Sequence, residues 1–189
     1  MNVVEAQIPG VRLIGTPRHD DGRGFFSEAY SRRSFALAGI DIEFVQDNHS
    51  LSVHSGTVRG LHFQVYPFAQ DKLIRVVRGA IFDVAVDLRH GSPTLGQHVS
   101  VVLSAAEDSQ VLVPVGFAHG FCTLEPETEI IYKVSNYYAP DCEGGVLWND
   151  PDLGIVWPVK DSAARLSPKD KIQPRLAEVL GGLDRIRWN

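Results

Sequence analysis

The sequence predicts an all-β protein, a sandwich or barrel of antiparallel strands with a few short helices. Three observations carry that reading. Val, Ile and Phe recur in short runs separated by Gly, Pro, Asp and Asn, the punctuation of a chain that turns back on itself often. The run Ile81 to Leu88 alternates with a period of two: Phe82, Val84, Val86 and Leu88 share one face, and Asp83, Ala85 and Asp87 the other. Few stretches show the 3.6-residue period of an amphipathic helix.

Taken in order, Val11 to Ile14 is a first strand. His19 to Gly24 is a turn-rich loop, and Phe25 to Tyr30 returns to extended structure. Ser31 is a plausible N-cap for a short helix that stops at Gly39. Phe44 to Ser50 reads as a strand edge carrying polar groups, with Gln46 and Asn48 on one face. Later strands fall at His98 to Leu103, at Gln110 to Val113 (halted by Pro114), at Glu129 to Val134 and at Val146 to Trp148. In the Glu129 strand Ile130, Tyr132 and Val134 share a face, opposite Glu129, Ile131 and Lys133. Asn149 to Asp161, with two prolines, is loop. Ser167-Pro168-Lys169-Asp170 has the form of a helix start, with a Ser cap, Pro at the first helical position and an acid in the first turn, so a short helical tail is expected from about residue 167. Leu176 to Leu180 suits a short helix. No internal repeat or linker is visible, and residues 1–189 read as one domain.

Composition excludes several classes. A hydrophobic fraction of 44% is that of an ordinary globular protein, and 189 residues suffice for a sizeable core. The net charge of -5 and the lack of a basic run argue against nucleic acid as a partner, although a local Arg and Lys cluster can still hold a nucleotide. No apolar run approaches the ~20 residues that span a bilayer, and no signal peptide is seen, so a cytoplasmic protein without membrane contact is expected. Cys122 and Cys142 have neither C-x-x-C nor metal spacing and read as two reduced thiols.

The stretch Val58 to Gly79, V-R-G-L-H-F-Q-V-Y-P-F-A-Q-D-K-L-I-R-V-V-R-G, delivers Arg59, His62, Gln64 and Lys72 to one region. On a strand His62 and Gln64 point to one face, while Leu61 and Phe63 turn into apolar packing. The same spacing also fits a strand with a polar, solvated face, and the rest of the chain has to decide. Two pieces resemble the halves of the cupin signature. Pro114, Gly116 and His119 reproduce P-x-G-x-x-H. In the other half His62-Phe63-Gln64 stands where metal cupins carry His-x-His, and Lys72 stands seven residues before Gly79, where they carry a Glu ligand. An ammonium repels a divalent metal. The resemblance therefore implies a cupin-type double-stranded β-helix (jelly roll) whose metal pocket has been rebuilt. A cavity with His, Lys and Tyr has what is needed to remove a proton α to a carbonyl, hold the enolate and return a proton.

In the order and residues of its motifs the chain resembles the dTDP-4-dehydrorhamnose 3,5-epimerase family. The matching pieces include D-G-R-G-F-F-S-E at Asp21 to Glu28, F-V-Q-D-N-H-S at Phe44 to Ser50 and V-R-G-L-H-F-Q at Val58 to Gln64. They continue with V-P-x-G-F-A-H-G-F at Val113 to Phe121, Y-K-x-x-N-Y-Y at Tyr132 to Tyr138, E-G-G-x-x-W-N-D at Glu143 to Asp150 and S-P-K-D at Ser167 to Asp170. The resemblance implies an isomerase that needs no cofactor and no metal and acts on a dTDP-4-keto-6-deoxyhexose. It implies His62 as general base, Asp170 as its carboxylate partner, Lys72 against the C4 oxygen and Tyr132 as the acid on the opposite face. Arg23, Glu28, Gln46, Asn48, Arg59, His119, Glu143 and Lys169 match nucleotide-sugar contacts, and Tyr138 matches the ring that stacks on thymine. The family is a homodimer with strands exchanged between subunits. Read without the resemblance, Asp170 is also a helix cap, His119 a turn residue and Tyr138 a surface aromatic. Segment 65 to 70, V-Y-P-F-A-Q, is more apolar than the family pattern. Three rivals stand beside the double epimerase: a 3- or 5-monoepimerase of a related sugar, a metal-dependent cupin oxygenase, which Lys72 argues against, and a non-catalytic binding cupin, which would have replaced His62 or Tyr132.

Overall fold

A computed structural model describes residues 1–188. Asn189, the last residue of the span read as one domain, lies outside them. Two antiparallel sheets are built from strands β1 (Asn2–Glu5), β2 (Arg12–Gly15), β5 (Gln46–Ser52), β6 (Val58–Gln64), β7 (Lys72–Arg78), β8 (Ala80–Asp87), β9 (His98–Ser104), β10 (Ser109–Val113), β11 (Phe117–Thr123), β12 (Thr128–Val134) and β13 (Glu143–Gly145). A six-stranded sheet has the order β1-β2-β10-β7-β12-β5, and a five-stranded sheet the order β13-β6-β11-β8-β9. Sequence neighbours often lie in different sheets, as a jelly roll requires. Strands β3 (Arg18–Asp21) and β4 (Gly24–Ser27) form a separate two-stranded hairpin.

The core lies between the two large sheets. Ile74, Val76 and Ile130 from one side meet Ile81, Ala85, Phe117 and Phe121 from the other. The outer face of the five-stranded sheet is covered as well: Leu61, Phe63, Val84, Val86 and Leu88 pack under Leu153 and under Leu176 and Val179 of helix α2 (Leu176–Gly181). This double cover explains why β8 departs from a half-solvated strand. Asp83 and Asp87 sit on its inner face at 1% and 0% exposure, and each is held by partners: His119 for Asp83, and Arg89, Ser92 and Thr94 for Asp87. Helix α1 (Arg32–Leu37) covers the outside of the six-stranded sheet, where Phe35 packs on Ile14, Leu73 and Leu112. Ser31 caps it as expected, accepting from the Ser34 amide.

Four local expectations are corrected. Val11 to Ile14 falls on the second strand, since β1 precedes and pairs with it. Residues His19 to Gly24 are not merely a loop: β3 pairs with β4 across them. Every β3 residue is exposed, so no alternation marked the strand. Val146 to Trp148 is not a strand. The ladder is β13, just before it, and Val146 continues with a single reciprocal backbone exchange with Leu61. Finally, Ser167 starts a turn and not a helix. Its hydroxyl caps the Asp170 amide at 3.1 Å, but the chain leaves that turn and becomes helical only at Leu176. The carboxylate of Asp150, 2% exposed, accepts from the Leu176 amide at 2.6 Å and so anchors that helix to the body of the protein.

Candidate active site

The inner face of β6 carries the site. Close approach of β6 and β11 depends on two glycines. A Cβ on Gly60, which has φ +123°, would meet the Gly120 Cα at 2.6 Å, and one on Gly120 would meet the Arg59 carbonyl at 2.7 Å. With hydrogen in both places the strands close, and His62 stands directly opposite His119 in register. His119 is therefore not a turn residue: it lies inside β11, 8% exposed, and its Nε2 meets Asp83 Oδ2 at 2.8 Å.

His62 meets a different acid. Its Nε2 donates to Asp170 Oδ1 at 2.6 Å, across 108 residues of sequence. The Ser167 turn aims that carboxylate. Burial pushes the Asp170 carboxyl up, but the hydrogen bond and charge of His62, with Ser167 and the Gly60 amide, outweigh it and hold the group below the usual carboxylate range. With Nε2–H committed to a carboxylate, Nδ1 is the nitrogen that can take a proton. Asp170 is thus a partner of His62, while the helix it was also suited to cap does not form.

Lys72 opens β7 and Tyr132 faces inward from β12. Lys72 Nζ donates to the His62 carbonyl at 3.3 Å. Its ammonium is enclosed, and burial lowers it to about 8 despite the opposing pull of Glu143 and Asp83. Burial likewise raises the Tyr132 phenol, which stays protonated at neutral pH. His62, Lys72 and Tyr132 line two adjoining cavities. One, of about 260 Å³, also takes in Arg59, His119, Lys169 and Asp170. The other, of about 170 Å³, takes in Gln46, Asn48, Tyr138 and Glu143. Gln46 Nε2 donates to Asn48 Oδ1 at 2.8 Å, which confirms their shared face.

Charge is distributed unevenly between the lobes. Arg59 reaches Ser52 and the Leu51 carbonyl, and neither Arg59 nor Lys72 has a carboxylate within ion-pair distance among the described residues. Cations without such a partner in a concave site suit an anionic ligand. In the second lobe Glu143 accepts from the Tyr138 hydroxyl at 2.8 Å and forms an ion pair with Lys169. Burial raises the Glu143 carboxyl, and Lys169, Tyr138 and His62 together bring it below its ordinary value.

Two residues that the motifs place with the ligand are not in either cavity of this chain. Arg23 is exposed at the tip of the β3–β4 hairpin and is tied to Asp21 at 2.6 Å. Glu28 accepts from Ser34 Oγ at 2.8 Å beside α1 and lines another cavity, of about 670 Å³, with Phe26. Conversely, sequence reading missed Asp83 and Ser167 as supports of the two histidines. An acid on the alternating strand Ile81 to Leu88 was the only available sign of Asp83. Among the described residues there is no cluster of three or more His, Cys, Asp or Glu placed to hold a metal, and no helix is long and apolar enough to cross a membrane. Both cysteines are free thiols.

The family model described as dTDP-4-dehydrorhamnose 3,5-epimerase matches residues 5–178. A dTDP-4-dehydrorhamnose 3,5-epimerase of Sinorhizobium fredii is 51% identical over 172 residues, which cover 91% of this chain and 88% of the relative. Among solved structures, the enzyme of that name from Bacillus anthracis str. Ames, with TDP and PPi bound, is 50% identical and superposes with a TM-score of 0.89 over 92% of this chain and 98% of that one. A dTDP-6-deoxy-D-glucose-3,5-epimerase from Legionella pneumophila, in complex with dTDP-4-keto-L-rhamnose, is 41% identical with a TM-score of 0.90 over 100% of this chain and 98% of that one. The jelly-roll fold, the paired motifs and the extent of these matches lead to one assignment: the chain belongs to the dTDP-4-dehydrorhamnose 3,5-epimerase family, and with it to the isomerases that act on nucleotide sugars.

Proposed function

We propose that this chain inverts C3 and C5 of dTDP-4-dehydro-6-deoxy-D-glucose to give dTDP-4-dehydro-L-rhamnose, with His62, Asp170, Lys72 and Tyr132 as its catalytic groups. The observation that carries this reading is their convergence on one cavity: a histidine with one nitrogen committed to a buried carboxylate, an enclosed ammonium and a protonated phenol. Each inversion starts with His62 Nδ1 taking the proton from a carbon α to the C4 ketone. The C–H electron pair moves into the new C=C bond, and the carbonyl pair moves onto the C4 oxygen. Lys72 stabilises that enolate oxygen. Asp170 stabilises the imidazolium and fixes its ring tautomer. Tyr132 delivers a proton to the opposite face of the same carbon, which inverts it, and solvent resets both groups. The cycle uses no cofactor.

Arg59 and Lys169 are suited to the diphosphate, His119, Gln46 and Asn48 to the sugar and its linkage, and Tyr138 to stacking on the base beside Glu143. Arg23 and Glu28 project away from this chain's cavity on a hairpin whose Phe25 and Phe26 are 55% and 70% exposed. That placement supports a homodimer in which N-terminal strands cross and the hairpin completes a partner's site. A sugar nucleotide substrate suits a cytoplasmic enzyme. Proton NMR of the protein with dTDP-4-keto-6-deoxyglucose in D2O, followed by reductive trapping of the ketone, tests the reading. Deuterium at C3 and C5 with a trapped L-rhamno product is the expected result. Deuterium at one carbon only replaces it with a monoepimerase, and no exchange removes the activity.

A further inference from the structure

We propose that Gln64 is a positioning residue for nucleotide binding: its amide clamps the backbone on both sides of Tyr138 and so fixes the ring that receives the base. Tyr137 to Ala139 lie in no strand or helix, and Tyr138 is 59% exposed. Such a segment has little of its own to hold an aromatic ring in one place. Gln64, 5% exposed, supplies the hold. Its Nε2 donates to the Tyr137 carbonyl at 3.1 Å and to the Phe68 carbonyl at 2.6 Å, and its Oε1 accepts from the Ala139 amide at 2.8 Å. The Tyr138 peptide plane is thus gripped before and after the residue. The segment after β12 is stitched to the connection between β6 and β7 by neighbours: Gln70 Nε2 donates to the Asn136 carbonyl at 2.7 Å, and Asn136 Nδ2 to the Pro67 carbonyl at 2.9 Å.

The amide has no donor left for a ligand. A glutamine carries two N–H donors, and both are used on backbone carbonyls. Gln64 lines the smaller lobe with His62, but its polar atoms serve the wall and not the guest. Its place in the strand gives the clamp a purpose. Gln64 follows His62 by two residues and shares its face of β6. Across the ladder it stands opposite Glu143, whose carboxylate holds the Tyr138 hydroxyl. Backbone and hydroxyl of Tyr138 are therefore both referred to the strand that carries His62, which sets the distance between the bound base and the reacting carbons. The position where metal cupins place a second histidine ligand has become a register pin.

This rests on the reading that Tyr138 stacks on the base. Calorimetry with dTDP on the wild type, Gln64→Leu, Tyr138→Ala and the double variant tests it, with steady-state kinetics alongside. Tyr138→Ala is expected to weaken dTDP about tenfold, the scale of one lost base–aromatic stack. Gln64→Leu is expected to weaken it about three- to tenfold and to raise KM by a similar factor, with kcat falling less than threefold. The double variant is expected to bind no more weakly than Tyr138→Ala, because the clamp acts only through that ring. If Gln64→Leu does not fold, Gln64→Met takes its place in the same cycle. Wild-type affinity in Gln64→Leu, or a double variant whose loss is the product of the two singles, overturns the clamp while leaving the role of Tyr138 standing. Wild-type affinity in Tyr138→Ala overturns the stacking assignment and the clamp with it, while D2O exchange at C3 and C5 reports separately on the epimerase reading.

Discussion

Two histidines face each other across the β6–β11 ladder, and each holds an aspartate. In the His62–Asp170 pair the contact is 2.6 Å and the side chains are 28% and 5% exposed; in the His119–Asp83 pair it is 2.8 Å and they are 9% and 2% exposed. The chemistry of the two pairs is alike, but their settings differ. Asp83 reaches His119 from the neighbouring strand of the same sheet, deep between the layers, so that pair is a fixed part of the wall. Asp170 arrives from a turn far along the chain, and the ring it holds opens toward the cavity. Both rings line the cavity, but the His62 pair is the more open of the two and the His119 pair is held as part of the wall, which suits the first to proton transfer and the second to contact.

Removing the accessible ring should have the largest effect. His62→Ala is expected to lower kcat by about 10³-fold, within the range of general acid–base catalysis, with the fold retained but the thermal midpoint lowered because the buried Asp170 loses its partner. Activity within tenfold of wild type would remove His62 from the mechanism.

Lys72→Met separates activity from stability. Turnover should fall by about 10²-fold or more, since the enolate loses its counter-charge, while the fold gains stability. Burial lowers the ammonium from 10.5 to about 8, so its charged form costs the folded state on the order of 3 kcal/mol at any pH below 8. That cost fades between about pH 8 and 10.5, where the folded lysine is neutral and the unfolded one is losing its proton. Denaturant titration at pH 7 and pH 10 should show the variant's advantage shrinking. A parallel prediction for the wild type is that kcat/KM declines as pH rises through about 8, when the free enzyme loses this charge.

The two aspartates complete the series. Asp170→Asn should lower kcat about 10²-fold, because the ring loses its tautomer and its counter-charge. The carboxyl of Asp170 lies below its ordinary value in the fold, so it stabilises the protein above pH 3.8 and that contribution disappears as pH falls through the folded value. Acid unfolding of the asparagine variant should lack this component. Asp83→Asn should cost about 1–3 kcal/mol of stability through its buried, mispaired amide, with less than a tenfold change in kcat. Equal losses of kcat in the two variants would erase the distinction between the pairs.

The sequence made the buried framework legible because strand period and chemistry coincide there. His62, Tyr132 and the Gln46–Asn48 pair all point where a period of two puts them, and Lys72 joins them in the region to which its segment was expected to deliver it. The approach of Asp170 to His62 was not legible from period or spacing, because it depends on the path of a turn; only the family motif connected residues 108 positions apart. The helix expected at Ser167 failed for a related reason: capping chemistry was present, yet nothing downstream of it packed as a helix before Leu176. Asp83 and Asp87 looked like members of a second, polar face, since a sequence does not show that both sides of β8 are covered. Arg23 and Glu28 were recognised through motif alone, and within one chain the fold leaves them on the hairpin, away from the residues they accompany in the motif.

That base and acid act from opposite walls is tested most directly with Tyr132→Phe. The variant is incubated with dTDP-4-keto-6-deoxyglucose in D2O, and C3 and C5 are followed by proton NMR before and after reductive trapping. Deuterium is expected to enter at C3 with the configuration retained, because His62 still removes and returns protons on its own face while the opposite acid is gone. Inverted, deuterated product formed at close to the wild-type rate would contradict it and assign the second proton to another group.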